Sequence, residues 1–431
     1  MSSAKNLVVK RGEVHVLFAY DVGLSVDLAR SKQHITDLTE VAEIKHRGHA
    51  PRYFQFDPPP LRVTQRIGAL ELDGRATKAA VELLVYDFGG VSVAYEIPFE
   101  GPLEDLVSLS CELAASTELR EDSLERVQQL LAVIEPAVHK AAIAPLTEDY
   151  TIFLVEEFQR EVAPDDLVAQ NAATIARILR SEMDELSEQE TQEAVSNRVS
   201  FGKRDVAVID WNAALLYDKE SEDTRAVLEF ANLQLLELRF LDEELDRALD
   251  RSYELIGKRG GLASLRMPGE TRKELGRVAR LQVDSAILFE RVNNALKLLG
   301  DQYLARVYRA ASQRYRLHEW NTTLLRKLET IENIYDKVHD QSAGFRMELL
   351  EWIIVILIAV ELVRPFVVGK HCARFETRAG PRGPARPCTA SCRVQSPVAG
   401  FPAPPPSHFC LFCSHQSSHF RFESPRSCPA S

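Results

Sequence analysis

The chain has 431 residues, 45% of them hydrophobic, so it can bury at least one full core without disulfide or metal staples. Its formal charge of −11 is divided unevenly: residues 1–363 carry 43 Lys and Arg against 61 Asp and Glu, whereas residues 364–431 carry 9 against 2. So acidic a body excludes general binding to nucleic-acid phosphates, and the position of six of the seven cysteines after residue 363 excludes a disulfide framework in that body.

The opening MSSAKNLVVKRGEVHVLF has no apolar h-region with a cleavage site and is not an Arg- and Ser-rich presequence, so the body is expected to stay where it is made. Residues 14–20 (VHVLFAY) form an apolar run of strand length. Residues 83–88 (LLVYDF) and 91–97 (VSVAYEI) flank Gly89-Gly90, a dipeptide of hairpin turns. Pro58, Pro59 and Pro60 mark a loop. Just before them, Arg47, Arg52 and Tyr53 lie in a basic and aromatic cluster that could stack on and neutralise a single RNA strand. A solvated turn leading into a strand is the commoner explanation, because no phosphate-binding fold surrounds it.

Helices are expected over 103–116 and 123–144, and residues 149–158 (DYTIFLVEEF) return to strand character. Pro164, Asp165 and Asp166 open a helix in the way that suits its positive end, and its apolar positions run through Ile175, Ile178, Leu179 and Met183. Residues 199–218 read as two strands. Within them Asp205, Asp210 and Trp211 either form a site on strand ends or are edge acids beside a packed indole. Residues 1–220 are thus expected to form an α+β body.

From Asp223 the period changes. Leu228, Ala231, Leu235, Leu238, Leu245, Leu249, Ser252 and Ile256 follow heptad spacing, interrupted at Asp242. Gly257, Gly260 and Gly261 break the pattern as a helix corner; they lack the Gly-Lys-Ser/Thr ending of a phosphate-binding loop. A second helix carries Leu281, Leu288, Val292 and Leu299, and a third carries Leu317, Trp320, Leu324, Leu328, Ile331, Tyr335 and Val338. Residues 224–345 are therefore expected to form a long antiparallel, coiled-coil-like helical arm that self-associates through Leu228, Leu235, Leu238, Leu245 and Leu249. A compact helical bundle is the alternative.

The third helix continues into residues 347–368, where Trp352, Ile353, Ile354, Ile356, Leu357, Ile358 and Glu361 are expected to form one C-terminal transmembrane helix of minimal length. Glu361 and Arg364 stand three apart and can neutralise each other, and with Pro365 they favour a shallow insertion. Residues 369–431 belong to a Pro-, Ser- and Cys-rich stretch: 11 of the chain's 21 prolines follow residue 363, and disorder is expected. Cys388, Cys392, Cys410 and Cys413, with His408, His415 and His419 nearby, match a zinc-ribbon spacing. The residues between them supply no core, so no metal site is expected.

The segment ELLEWIIVILIAVELV (348–363) at the end of a helical arm resembles the C-terminal signature of the required-for-meiotic-nuclear-division, or YagE-like, family. Residues 206–217 (VAVIDWNAALLY) and the strands around Phe88-Gly89 fit the same pattern more loosely, and the resemblance spans roughly residues 10 to 363. It implies a membrane-anchored, homo-oligomeric protein with an α+β body; eukaryotic members support mitochondrial translation. It implies no catalytic residue and no cofactor. Without a presequence the chain resembles a bacterial-type member, placed in the inner membrane with its body in the cytosol. Arg364-Pro365 and the long tail depart from the family pattern.

No Ser-His-Asp, His-Glu-x-x-His or paired-carboxylate arrangement can be argued from spacing, so an enzyme is not favoured. The expected function is a membrane-anchored scaffold that self-associates through its arm and binds a protein partner through its body. The alternatives are an RNA-associated translation factor and an enzyme with an unrecognised site.

Overall fold

The computed structural model describes residues 7–38, 58–72, 74–257 and 302–372, together with 273, 276, 277, 280, 283 and 287. The chain divides into two compact units, Met1–Trp352 and Ile353–Ser431. The basic cluster at Arg47, Arg52 and Tyr53, the apolar positions Leu281, Leu288, Val292 and Leu299 of the second helix of the expected arm, and the Cys- and His-bearing tail from Cys388 lie outside the described residues.

The first unit begins with β1 (Val8–Asp21), β2 (Ser25–Val26), α1 (Leu28–Leu38) and β3 (Leu61–Arg66). There follow β4 (Glu71–Leu72), β5 (Arg75–Ala76), β6 (Ala80–Val85) and β7 (Gly90–Pro102). Helices α2 (Asp105–Ala115) and α3 (Glu118–Ile134) precede β8 (Val138–His139) and β9 (Thr147–Phe158). After α4 (Pro164–Arg180) and α5 (Glu188–Ala194) come β10 (Arg198–Val199), β11 (Val206–Ile209) and β12 (Ala213–Tyr217). The remaining described helices are α6 (Glu222–Gly257), α7 (Gln302–Arg314) and α8 (Leu317–Cys372). An α+β body followed by helices is what the sequence implies.

Eight strands form one sheet in the order β10-β11-β12-β9-β1-β7-β6-β3. Within it β12 and β9 run parallel, and every other neighbouring pair is antiparallel. Central β1 starts six residues before the apolar run at Val14. Its polar entry is held in the strand by cross-strand ion pairs, Lys10 with Glu157 at 2.9 Å and Arg11 with Glu156. The helix expected over 123–144 instead spans Glu118–Ile134, because Pro136 cannot continue it.

Each face of the sheet carries its own core. Val14, Val16, Phe18 and Tyr20 of β1 belong to the core that includes residues of α1 to α4, such as Ile35, Leu109, Leu130 and Ile178. Leu17 and Ala19 belong to the other, with Leu228, Leu233 and Leu245 of α6, Val307 of α7 and Leu324 of α8. Lys327 of α8 is 2.7 Å from Asp242 and 2.6 Å from Asp246, so an ion pair also joins α8 to α6.

The transmembrane helix expected over 347–368 is corrected. Among the described residues no helix is long and apolar enough to cross a membrane. The uncharged run in α8 is nine residues, from Trp352 to Val360, bounded by Glu351 and Glu361. A helix of that length rises about 13 Å, against a hydrocarbon core of about 30 Å. The single-pass, inner-membrane placement falls with it.

Gly89 closes the β6–β7 hairpin at φ +104°, and a Cβ there would overlap the carbonyl oxygen of Gly23. Gly89→Ala is therefore expected to cost about 2–4 kcal/mol through backbone strain and displacement of that carbonyl. Chemical denaturation measures it; a loss below about 1 kcal/mol would contradict the tight turn.

Candidate functional site

Among the described residues of the first unit, polar and charged side chains collect at three places that are candidates for a site. The first is under the N-terminal half of α6. Alternation along β1 turns Glu13 and His15 to the side of Leu17, where Ser92 and Glu96 of β7 and Glu82 of β6 meet Arg225 and Glu229 of α6. Lys78 Nζ donates to Glu13 Oε1 at 2.7 Å and to Glu96 Oε2 at 2.5 Å. Glu82 is 2.7 Å from Arg62 and 3.7 Å from Arg225, and Glu229 is hydrogen-bonded to Ser92.

Buried His15 has its Nε2 3.7 Å from Glu13, while its Nδ1 has no hydrogen-bond partner. Burial, and then the charge of Arg225, lower its pKa to about 3, so at neutral pH the ring is uncharged. Lys78 is held as a cation between two carboxylates. The cluster is thus an almost balanced ion network rather than a free base beside a free nucleophile.

The second place is the β11–β12 turn. Asp210 is fully buried, with Oδ2 2.7 Å from Arg180 Nε at the end of α4 and Oδ1 3.1 Å from Arg314 Nη2 at the end of α7. These are ion pairs at close range whose geometry is not aligned for hydrogen bonds. Tyr150 donates to the Asp210 carbonyl at 3.0 Å, and Glu193 of α5 is 3.3 Å from Arg314. Burial raises the Asp210 carboxyl above the ordinary range, against the pull of the two guanidiniums. Trp211 is 54% exposed, with the Arg180 guanidinium 5.7 Å from its ring centre. So Asp210 is a buried tie between two helices and a hairpin, Trp211 is not a packed indole, and Asp205 accepts the backbone N–H groups of Phe201 and Gly202 at 2.6 Å.

The third place is an open cleft of about 720 Å³ at the C-terminal ends of the parallel pair β9 and β12, bordered by Phe158, Tyr217, Asp218, Asp223, Thr224 and Tyr303. Here the chain leaves β9 for α4 on one face and β12 for α6 on the other, the divergence at which α/β sheets open crevices. Its rim acids Glu156, Glu157 and Glu161 are paired with Arg11, Lys10 and Arg204. Among the described residues no group of three or more His, Cys, Asp or Glu is arranged to hold a metal ion.

The expected oligomerisation residues lie elsewhere. Leu228, Leu238 and Leu245 are buried in the chain's own second core, and Leu235 and Leu249 are partly buried against it. The residues expected in a membrane, Trp352, Ile353, Ile354, Ile356, Leu357 and Ile358, are between 42% and 66% exposed, and Glu361 is also exposed. Sequence reasoning passed over His15, Asp21, Arg225, Glu229 and Glu237. Their signal was present as single polar residues within otherwise apolar stretches, such as VHVLF and LQLLELRFL.

Fold and polar clusters together define an α+β protein whose one large sheet is covered by helices on both faces. Residues 11–224, essentially that sheet with its first-face helices, match the family described as "Uncharacterized protein MJ0711, N-terminal domain". The uncharacterized protein MJ0711 of Methanocaldococcus jannaschii is 27% identical over 219 residues, which cover 50% of this chain and 65% of that relative. The chain thus spans a little under two thirds of the relative's length. No solved structure matches the chain. These similarities are to an archaeal protein and its N-terminal domain, and they overturn the resemblance to a bacterial-type YagE-like membrane family. That resemblance rested on a short apolar run, which many unrelated helices share.

Two outcomes follow for these clusters. Asp210→Ala leaves two largely buried guanidiniums with only the half-exposed Glu190 and Glu193 as anions and is expected to cost about 3 kcal/mol in a denaturant titration; a loss under about 1 kcal/mol would show that the knot is not holding the hairpin. The lowered pKa of His15 means that the unfolded chain takes up its proton first on acidification. Its contribution to stability is complete above about pH 6.5 and is lost as pH falls toward 3. His15→Gln should make the fall of the melting temperature between about pH 6.5 and 4 shallower, and an unchanged slope would contradict the assignment.

Proposed function

We propose that this chain is a binding or scaffold protein that self-associates through its C-terminal helical region, leaving the α+β body free to hold a protein partner. The observation that carries this reading is in the second unit. Ile353, Ile354, Val355, Ile356, Leu357, Ile358, Val360, Leu362 and Val363 of α8 are each between 42% and 65% exposed. An apolar patch that large and contiguous is not left to water in a monomer.

The occupant we assign is further copies of the same helix. Six successive apolar residues, 353–358, advance by about 100° each and so ring the whole helix. A two-stranded seam covers only one stripe. Covering the whole circumference takes neighbours on more than one side, which favours an assembly of more than two chains. The antiparallel arm belongs to the same proposal: the Lys327 bridge to Asp242 and Asp246 supports α8 folding back along α6.

Sedimentation of the full chain tests this. An oligomer is expected at low micromolar concentration. Ile354→Asp with Ile358→Asp, one turn apart on a single face, should shift the equilibrium toward smaller species by at least about 100-fold, since each charge would be buried without a partner. A wild-type chain that sediments as a monomer at high micromolar concentration would defeat the proposal.

A further inference from the structure

Between β1 and α6 lies a charge problem that no cation in the described residues solves. Asp21 ends β1 and Glu237 stands near the middle of α6; they are 7% and 6% exposed. Asp21 Oδ1 accepts the Gly23 N–H at 2.8 Å, whereas Glu237 Oε1 has no hydrogen-bond partner. The charge that acts on Glu237 is that of Asp21 itself.

The surrounding elements do not relieve the pair. On β9, Glu148 lies opposite Ala19 and is taken by Arg239, the nearest cation along α6. On α7, Tyr308 donates to Gln234, three residues before Glu237, at 2.6 Å. The turn that brings Gly90 opposite Asp21 carries Asp87, which has its own interaction. The segment whose His139 carbonyl accepts the Leu24 N–H carries His139 and Lys140, both exposed.

We propose that Asp21 and Glu237 form a proton-holding latch that keeps α6 seated on the sheet and loosens when both carboxyls ionise. Two buried carboxyls, one within reach of the other's charge, cannot both ionise without a large desolvation and repulsion cost. Burial raises Asp21 to about 7, and burial with the neighbouring Asp21 charge raises Glu237 well above the usual carboxylate range. The folded chain therefore keeps protons that the unfolded or undocked chain releases near ordinary carboxyl values. Stability contributed by the pair is highest in acid and is lost as pH rises through the folded values. His15 slopes the other way, but only below about pH 6.5, so the window above that value belongs to the latch. Asp21 lies within the segment shared with the archaeal relative's N-terminal domain, and Glu237 lies beyond it. The latch thus joins the sheet to the helices that follow, and it holds whether or not the chain self-associates.

Amide hydrogen exchange of the full chain between about pH 6.5 and 8.5, corrected for the intrinsic rate, reads the opening of α6 separately from that of β1 and β7. In the wild type, opening of α6 around Glu237 is expected to increase about tenfold per pH unit for each proton retained. Glu237→Gln, which mimics the protonated acid in shape, should flatten that rise, as should Asp21→Asn if the first variant does not fold. Other buried carboxyls such as Glu229 are common to all three chains, so the difference isolates the pair. A wild-type change below twofold across the window, or a Glu237→Gln slope equal to the wild type's, would overturn the latch. So would a rise in wild-type melting temperature at pH 8.5 on adding magnesium or calcium that Glu237→Gln lacks, since the pair would then be a cation site.

Discussion

The fold depends on the alternation of side chains along β1. That strand is hydrogen-bonded to β7 on one side and β9 on the other over nearly its whole length, so neither edge can move to relieve a misplaced residue. Its register fixes which side chains enter which core. Val14, Val16, Phe18 and Tyr20 can only fill the first, and Glu13, His15, Leu17, Ala19 and Asp21 can only face α6. A slip of one residue would carry the even set of apolar and aromatic side chains to the α6 side and leave two acids and an imidazole in the first core.

The polar residues on the α6 side set the position of that helix more than they add to its stability. Buried ion pairs recover at best part of the hydration they lose, and hydrophobic replacements of similar volume are often as stable. Position is another matter. Arg225 faces Glu82 and Glu96, and Glu229 faces Ser92. A slide of α6 by one turn would bring Glu229 to where Arg225 stands and set it against the two glutamates. The apolar residues Val227, Leu228, Phe230, Ala231 and Leu233 would tolerate such a slide far better, because a Leu-rich surface offers similar contacts at neighbouring turns.

Much of the body was legible in the sequence because the signals there are local. The strands at 14–20, 83–88, 91–97 and 149–158 combine β-branched and aromatic residues with nearby turn residues, and each lies within or overlaps an observed strand. Helix α4 starts at Pro164 as its Pro and acids imply. What was not legible depends on distant partners. The heptad reading of α6 followed one stripe and passed over Val227, Phe230, Leu233, Leu236 and Leu241, which together make the helix buried around most of its circumference; only the sheet beneath explains why they are there. Asp21 and Glu237 are 216 residues apart in sequence, and neither has a local feature that names the other. The apolar run in α8 conveyed its hydrophobicity correctly, but not what covers it, since a run too short for a bilayer and too apolar for water specifies only that some neighbour is needed.

That distinction separates the two parts of the chain by the solution variable to which each responds. The apolar side chains at 353–360 include no titratable group, so the proposed association through them would be governed by chain concentration, and by temperature through the heat capacity of apolar burial. The seating of α6 on the sheet is governed by protons, because its least satisfied contact is a pair of carboxyls. Linkage between the two requires that one state of α6 hold α8 differently from the other. Lys327, bonded at once to Asp242 and Asp246 one turn apart, together with the core that Leu324 and Leu328 share with α6, is where a shift of α6 would be transmitted to α8. Because both acids lie on the same helix, Lys327 would follow α6 as a unit rather than exchange between partners. A loosened α6 would therefore carry α8 with it instead of releasing it.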